Sequence, residues 1–243
     1  MNIGEIIKDG ITYPLVDLTD SLKLAIPNIF VVIATVIFIF TTGTDVYFSL
    51  NYFFIDPSQS SLSTATYIIL TLILLIINVI YWIYNLGVVS RVFENTMMNK
   101  REVPYFDLKR IFDKGSKLFI VYLIFILICC IINLYIEFIV YINITLLVLM
   151  AFVPAILAVF SQTNSISKTL DIKRIWEITK EIGIKNTAIF MVLLLIITII
   201  FGLLAYFCSY IALVIILLFV ELIMARIAGL LYVNRTNNMT SND

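Results

Sequence analysis

One order of ionisable and apolar side chains occurs twice in this chain. Phe106-Asp107-Leu108-Lys109-Arg110-Ile111-Phe112-Asp113 returns sixty-four residues later as Leu170-Asp171-Ile172-Lys173-Arg174-Ile175-Trp176-Glu177. Position by position the match is apolar, Asp, Leu/Ile, Lys, Arg, Ile, aromatic, acid. Recognition of anionic lipid headgroups is the chemistry open to such segments. Near a charged leaflet each Lys or Arg contributes about 1 kcal/mol. Lys109, Arg110, Lys173 and Arg174 are therefore the candidate headgroup contacts, with Ile111, Phe112, Ile175 and Trp176 entering the acyl boundary. The plainer role for the same residues is to fix topology and anchor loops.

A second candidate is Glu221, an acid flanked by Val220, Leu222 and Ile223. An acid in the middle of an apolar run costs about 2.5–3.5 kcal/mol on insertion scales, so it is expected to face other helices. Arg226, five residues on, and Arg91, near the end of another apolar run, are its candidate charged partners. The plain alternative is a neutral Glu221 hydrogen-bonded to an Asn or Tyr as helix glue, and the sharper one is an ion- or proton-linked site, which only a permease would need. Asn28, Asn78 and Asn85 are further polar groups within apolar runs, where hydrogen bonding between helices is the default use.

Other chemistry is poorly provided for. The chain has no His, which removes the commonest general base and metal ligand. Cys129, Cys130 and Cys208 all lie inside apolar runs without a CxxC spacing and read as small apolar packers. No nucleophile elbow, zinc-binding HExxH or Gly-rich phosphate loop is present. No catalytic, cofactor or metal site is expected, and no enzyme activity. Lys117 and Lys185, each just before an apolar run, read as snorkelling anchors.

The elements that must position these residues follow from composition. Of the 243 residues, 62% are hydrophobic and 13% charged, with a mean hydropathy of +1.07. Soluble domains run near 45–50% apolar and about 25% charged, so the chain reads as an all-α, polytopic membrane bundle. The formal net charge is zero, which offers nucleic acid no bulk attraction. The N-terminus carries Glu5, Asp9, Asp17 and Asp20 before the first apolar run, unlike a secretory signal.

Six spans are expected, near residues 21–42, 64–93, 117–136, 143–163, 186–205 and 209–233. An interfacial helix over 2–13 should stop at Pro14, Pro27 is expected to kink the first span, and residues 43–63 form a polar connection. Leu118 to Gln162 is too long for one span: at 1.5 Å per residue it would reach about 68 Å, so it must turn. Asn133, Glu137 and Asn143 mark that turn. Gly202, Ala205, Ser209 and Ala212 mark the next one.

With six spans all sixteen Lys and Arg fall on one side. Lys8 and Lys23 belong to the N-terminal end, and Arg226 and Arg235 to the C-terminal end. Seven lie between spans two and three, from Arg91 to Lys117, and five between spans four and five, from Lys168 to Lys185. The positive-inside rule then places both termini in the cytoplasm of a multi-pass cell-membrane protein.

The repeat extends to the helix ends. Val92-Phe93-Glu94-Asn95 closes span two, Val159-Phe160-Ser161-Gln162 span four, and Leu231-Tyr232-Val233-Asn234 span six. Three helical hairpins, 16–98, 106–163 and 170–233, are thus expected, each preceded by a short amphipathic interfacial helix. The interfacial pieces are 105–114 and 170–181, with Val16-Asp17-Leu18 a degenerate third echo, and a polar tail occupies 234–243. All three hairpins share one orientation, unlike an inverted repeat.

Several segments together resemble an uncharacterised membrane family found mostly in archaea, the domain of unknown function 4013. They are Asn2-Ile3-Gly4-Glu5-Ile6 with Tyr13-Pro14-Leu15, Gly87 with Arg91-Val92-Phe93-Glu94-Asn95-Thr96, and Val103-Pro104-Tyr105-Phe106-Asp107. Pro154-Ala155, the Leu170 segment and Ala225-Arg226-Ile227-Ala228-Gly229-Leu230-Leu231-Tyr232 complete them. The resemblance covers essentially the whole chain; it implies the architecture and no activity. The layout is also similar to the membrane domain attached to some glycerophosphodiester phosphodiesterases, without their catalytic domain. The expected function is a membrane scaffold or accessory protein that meets lipid or partner membrane proteins at the cytoplasmic face. A small permease or exporter with a polar site near Glu221 is the runner-up, and a lipid-modifying enzyme the remotest class.

Overall fold

The computed structural model describes residues 2–42, 46–49, 52–55, 63–135, 149–207 and 210–240. Its helices are α1 (Ile3–Val16), α2 (Leu18–Thr42), α3 (Thr64–Met97), α4 (Leu108–Tyr135), α5 (Val153–Thr163), α6 (Ile166–Thr169), α7 (Ile172–Ile182), α8 (Ile184–Phe207) and α9 (Tyr210–Thr240). Between α2 and α3, β1 (Val46–Ser49) and β2 (Tyr52–Ile55) pair antiparallel, Val46 opposite Ile55 and Ser49 opposite Tyr52. The sequence reading had only a polar connection there.

Among the described residues three segments are long and apolar enough to cross a membrane: Leu18–Phe38, Thr64–Met97 and Leu108–Ile132. Their surfaces agree with that. Ile68, Ile69, Leu72, Ile73, Leu75, Ile76, Val79 and Ile80 of α3 are all exposed. An apolar surface that wraps a helix over several turns is suited to lipid rather than water.

Helix starts follow local rules. Asn2 and Glu5 form a reciprocal capping box, Asn2 Oδ1 accepting from the Glu5 N–H and Glu5 Oε2 from the Asn2 N–H, both at 2.9 Å. Such a box satisfies two otherwise orphaned donors. The aspartates of the repeated segments do equivalent work: Asp107 Oδ1 accepts from the Arg110 N–H at 3.2 Å and Asp171 Oδ1 from the Lys173 N–H at 3.0 Å. Asp17, in the degenerate third echo, caps α2 through the Asp20 N–H at 3.0 Å. The matched acids therefore share a physical role, N-cap acceptor.

Several boundaries differ from the sequence reading. The segment 105–114 is not a separate interfacial helix, because α4 runs unbroken from Leu108 to Tyr135. In the other copy α7 does stop, at Gly183, whose φ of 89° ends it before α8 begins. Only glycine adopts that φ without strain. The position sixty-four residues earlier is Phe119, which cannot, so the helix continues. Pro14 does not end α1, which reaches Val16. α2 runs through Pro27 as one helix. The segment 234–240 continues α9 as helix rather than forming a tail. The spans begin or end a few residues from their expected limits, α2 at Leu18 and α8 over Ile184–Phe207. Glu137 and Asn143 at the expected turn, with Cys208 and Ser209 at the next, lie outside the described residues.

Glycines set the closest crossing. A Cβ on Gly87 would stand 2.1 Å from the Ile111 carbonyl oxygen, and one on Gly115 would stand 1.9 Å from the Ile83 carbonyl oxygen. α3 and α4 are thus antiparallel and in backbone contact, the close approach that small residues permit. α2 also runs antiparallel to α3: the Tyr84 hydroxyl donates to the Leu24 carbonyl at 2.9 Å, and the Phe38 and Tyr67 rings lie 6.3 Å apart. α9 runs parallel to α3, with Asn85 meeting Glu221 and Thr96 meeting Arg226. Among the described residues two apolar clusters fill the spaces between them. One gathers Phe93, Phe160, Leu118, Ile175 and Ile227, and the other Tyr13, Leu24, Tyr84, Ile111 and Leu222.

Candidate functional site

These helix directions bring polar ends together: the starts of α2, α4 and α7 and the ends of α3, α5 and α9. α1 lies across this face. Its buried positions Ile6, Gly10 and Tyr13 recur at helical spacing. A Cβ on Gly10 would approach Ile227 Cγ1 to 2.4 Å, so α1 sits directly on α9.

That approach seals a buried polar knot. Arg226, 5% exposed, donates from Nε to Asp9 Oδ2 at 2.9 Å. Its Nη1 donates to the Lys100 carbonyl at 2.7 Å and to Thr96 Oγ1 at 3.2 Å. The guanidinium also lies 5.1 Å from the centre of the Tyr13 ring. Asp9 is shared with Arg101 at 2.8 Å, and the Tyr13 hydroxyl donates to the Glu102 carbonyl at 2.8 Å. Burial pushes that hydroxyl well above the usual tyrosine range, and nearby Arg226 opposes the shift. Asn99, at φ 57°, turns the chain out of α3 with a residue type that tolerates left-handed backbone. The next residue, Lys100, then offers its carbonyl to Arg226.

Beside the knot lie three smaller polar contacts. Arg91, 4% exposed, donates to the Tyr105 carbonyl at 2.8 Å and stacks 4.7 Å from that residue's ring centre. Glu94 is paired with buried Lys114 and, at 3.5 Å, with Arg110. Gln162 donates to the Tyr232 hydroxyl at 2.7 Å and accepts from Arg174 at 3.2 Å. Phe93 and Tyr232, expected at matching helix ends, have ring centres 6.4 Å apart.

The sequence-predicted residues therefore divide. Lys109 and Lys173 are exposed, and their ammonium groups have no partner among the described residues. Arg110 and Arg174 are partly committed inside the protein, to Glu94 and Gln162. Glu221, Arg91 and Arg226 do not form one site. Glu221 Oε1 accepts from Asn85 Nδ2 at 3.3 Å, while Arg226 turns to Asp9 and Arg91 to Tyr105. The reason is direction: each arginine meets a partner nearer the polar face, so neither needs to reach inward to the acid. Ala225 and Gly229 do mark close packing. Ala225 is buried, and a Cβ on Gly229 would stand 2.7 Å from the Thr96 Cβ. Sequence reasoning missed Asp9, Thr96 and Glu94, since none stands out by type, and gave Asn85 no specific partner. Among the described residues no group of three or more His, Cys, Asp or Glu is placed to hold a metal.

The fold and this face define a predominantly helical protein, with one two-stranded hairpin, whose helices include some of membrane-crossing length and apolarity, tied together by polar contacts at one end. Residues 70–210 match the family model described as "Protein of unknown function (DUF4013)". The match covers more than half of the chain, and the chain belongs to that family. No curated protein and no solved structure matches it.

Proposed function

We propose that this protein is a non-enzymatic membrane scaffold or accessory protein. It spans the membrane six times, through α2, α3, α4, α8, α9 and a span over 143–163 that includes α5. Its termini and polar face lie in the cytoplasm, where it meets anionic lipid headgroups and partner membrane proteins.

The observation that carries the lipid reading is the outer face of α7. Its inner residues Ile175, Ile178 and Ile182 are buried. Its outer face leaves Ile172 68% and Trp176 47% exposed, with Lys173 and Lys180 exposed beside them and the Lys180 ammonium 5.4 Å from the Trp176 ring centre. Exposed apolar and aromatic residues interleaved with lysines suit a helix lying at the headgroup level.

The test is native mass spectrometry of the full chain released from nanodiscs of mixed phosphatidylcholine and phosphatidylglycerol. The Lys109→Gln, Lys173→Gln, Lys180→Gln variant should retain less phosphatidylglycerol than wild type. Equal retention would refute headgroup recognition and leave these lysines a topological role. A small permease is the second reading, favoured by the buried Asn85–Glu221 pair.

A further inference from the structure

Hydrocarbon offers a buried polar atom no water, so every donor and acceptor there must find a partner inside the protein. The Asn85–Glu221 pair obeys this rule only by half. Asn85 is 6% exposed, and its Nδ2 donates to Glu221 Oε1 at 3.3 Å. The remaining oxygens of the two groups, Asn85 Oδ1 and Glu221 Oε2, are both buried and have no hydrogen-bond partner among the described residues. Both are acceptors, so neither can satisfy the other.

Charge points the same way. Arg226 is held by Asp9, Thr96 and Lys100, and Arg91 by Tyr105. On α3 the Tyr84 hydroxyl is spent on the Leu24 carbonyl, with Tyr81 beside it. On α1, Tyr13 donates to Glu102 and Asp9 is paired twice. On α2, Lys23 is paired with Asp20 at 2.7 Å. Among the described residues no Lys or Arg forms an ion pair with the Glu221 carboxylate.

We propose that Asn85 and Glu221 form an intramembrane site for one monovalent cation, bound between Asn85 Oδ1 and Glu221 Oε2. Carboxylate and amide oxygens are hard donors, suited to hard cations rather than soft ones. One carboxylate neutralises one positive charge; a divalent ion would leave net charge buried in hydrocarbon. Two occupants share this chemistry. A proton on Oε2 donates to Oδ1 and closes a two-bond acid–amide pair; a sodium ion bridges the same two oxygens. The ion completes the α3–α9 contact, and transport is not required for it to be bound. The site also stands apart from lipid recognition at α7, whose failure would leave it untouched.

The test is infrared spectroscopy of the purified full chain in detergent, with thermal unfolding in parallel. Wild type is titrated with sodium chloride against choline chloride at constant ionic strength. If the occupant is a proton, a protonated-carboxyl carbonyl band is present, is missing from Glu221→Gln, and does not respond to sodium. If it is sodium, that band disappears as sodium is added, and Tm rises with sodium in wild type but not in Glu221→Gln. Asn85→Leu keeps the acid but removes its partner. It should weaken the apparent affinity roughly tenfold or more, the effect of losing one hydrogen bond to a charged group. It also serves if Glu221→Gln fails to fold. A carboxylate with no protonated band and no response of spectrum or Tm to sodium would overturn the proposal. So would a sodium response that persists unchanged in both variants.

Discussion

Replacing Arg226 with Met keeps the apolar stem and removes the guanidinium from the polar knot. Its three hydrogen bonds reach Asp9, Thr96 and the Lys100 carbonyl, and its flat face covers Tyr13. The bond to the Asp9 carboxylate is charge-assisted on both sides and of a kind that contributes about 1.5–3 kcal/mol. The stacking on Tyr13 adds about 0.5–2 kcal/mol. Asp9 keeps Arg101, which moderates the loss, so the lower end of the 3–5 kcal/mol found for breaking buried pairs applies, about 3 kcal/mol. Arg226→Lys should cost less, because an ammonium still pairs with Asp9 but cannot also fork to Thr96 and Lys100. Denaturant titration in mixed micelles reads both as shifts of midpoint at constant slope. The loss should act first where α1 meets α9, so trypsin should cut at Lys8 faster in the Met variant than in wild type. A Met variant within about 0.5 kcal/mol of wild type, with unchanged cleavage at Lys8, would refute the idea that this knot holds α1 down.

The α3–α4 crossing gives a second expectation. Gly115→Ala places a methyl 1.9 Å from the Ile83 carbonyl oxygen, which backbone cannot yield cheaply. It should cost about 1–3 kcal/mol by overpacking, read by the same titration, whereas Gly183→Ala meets nothing within 4 Å and acts only through its positive φ. A third concerns alkaline pH. Tyr13 is held neutral by burial, its folded pKa raised above the unfolded value. Its contribution is therefore complete below about pH 10, the unfolded tyrosine value, and is lost as pH rises from there toward the folded value. Tyr13→Phe should flatten that part of the stability–pH curve, and an unchanged alkaline slope would show that the hydroxyl is not buried.

Local rules carry only some distance along this chain. Composition and run length make it a membrane-class helical protein, because hydrocarbon admits few alternatives to an apolar helix. The repeated segments were legible as a pair, and the shared role of Asp17, Asp107 and Asp171 in capping has the same short range, acting on N–H groups two or three residues away. What followed those caps was not legible. Whether a helix stops after the basic segment depends on one backbone position, Gly183 in one copy and Phe119 in the other.

The polar contacts lay further out of reach. Arg226 and Asp9 are 217 residues apart, and Asn85 and Glu221 are 136 apart. No periodicity relates such positions. Their pairing follows from which faces α1, α3 and α9 turn to one another, and that depends on where glycines allow backbones to touch, as at Gly10 and Gly229. The sequence alone determined that Glu221 needed a polar neighbour, since an isolated acid in an apolar run is costly. Only the tertiary structure decided that the neighbour is an amide rather than an arginine: packing α1 across the ends of α3 and α9 supplies Arg226 with Asp9 at the polar face, and leaves Asn85 as the side chain bonded to the acid.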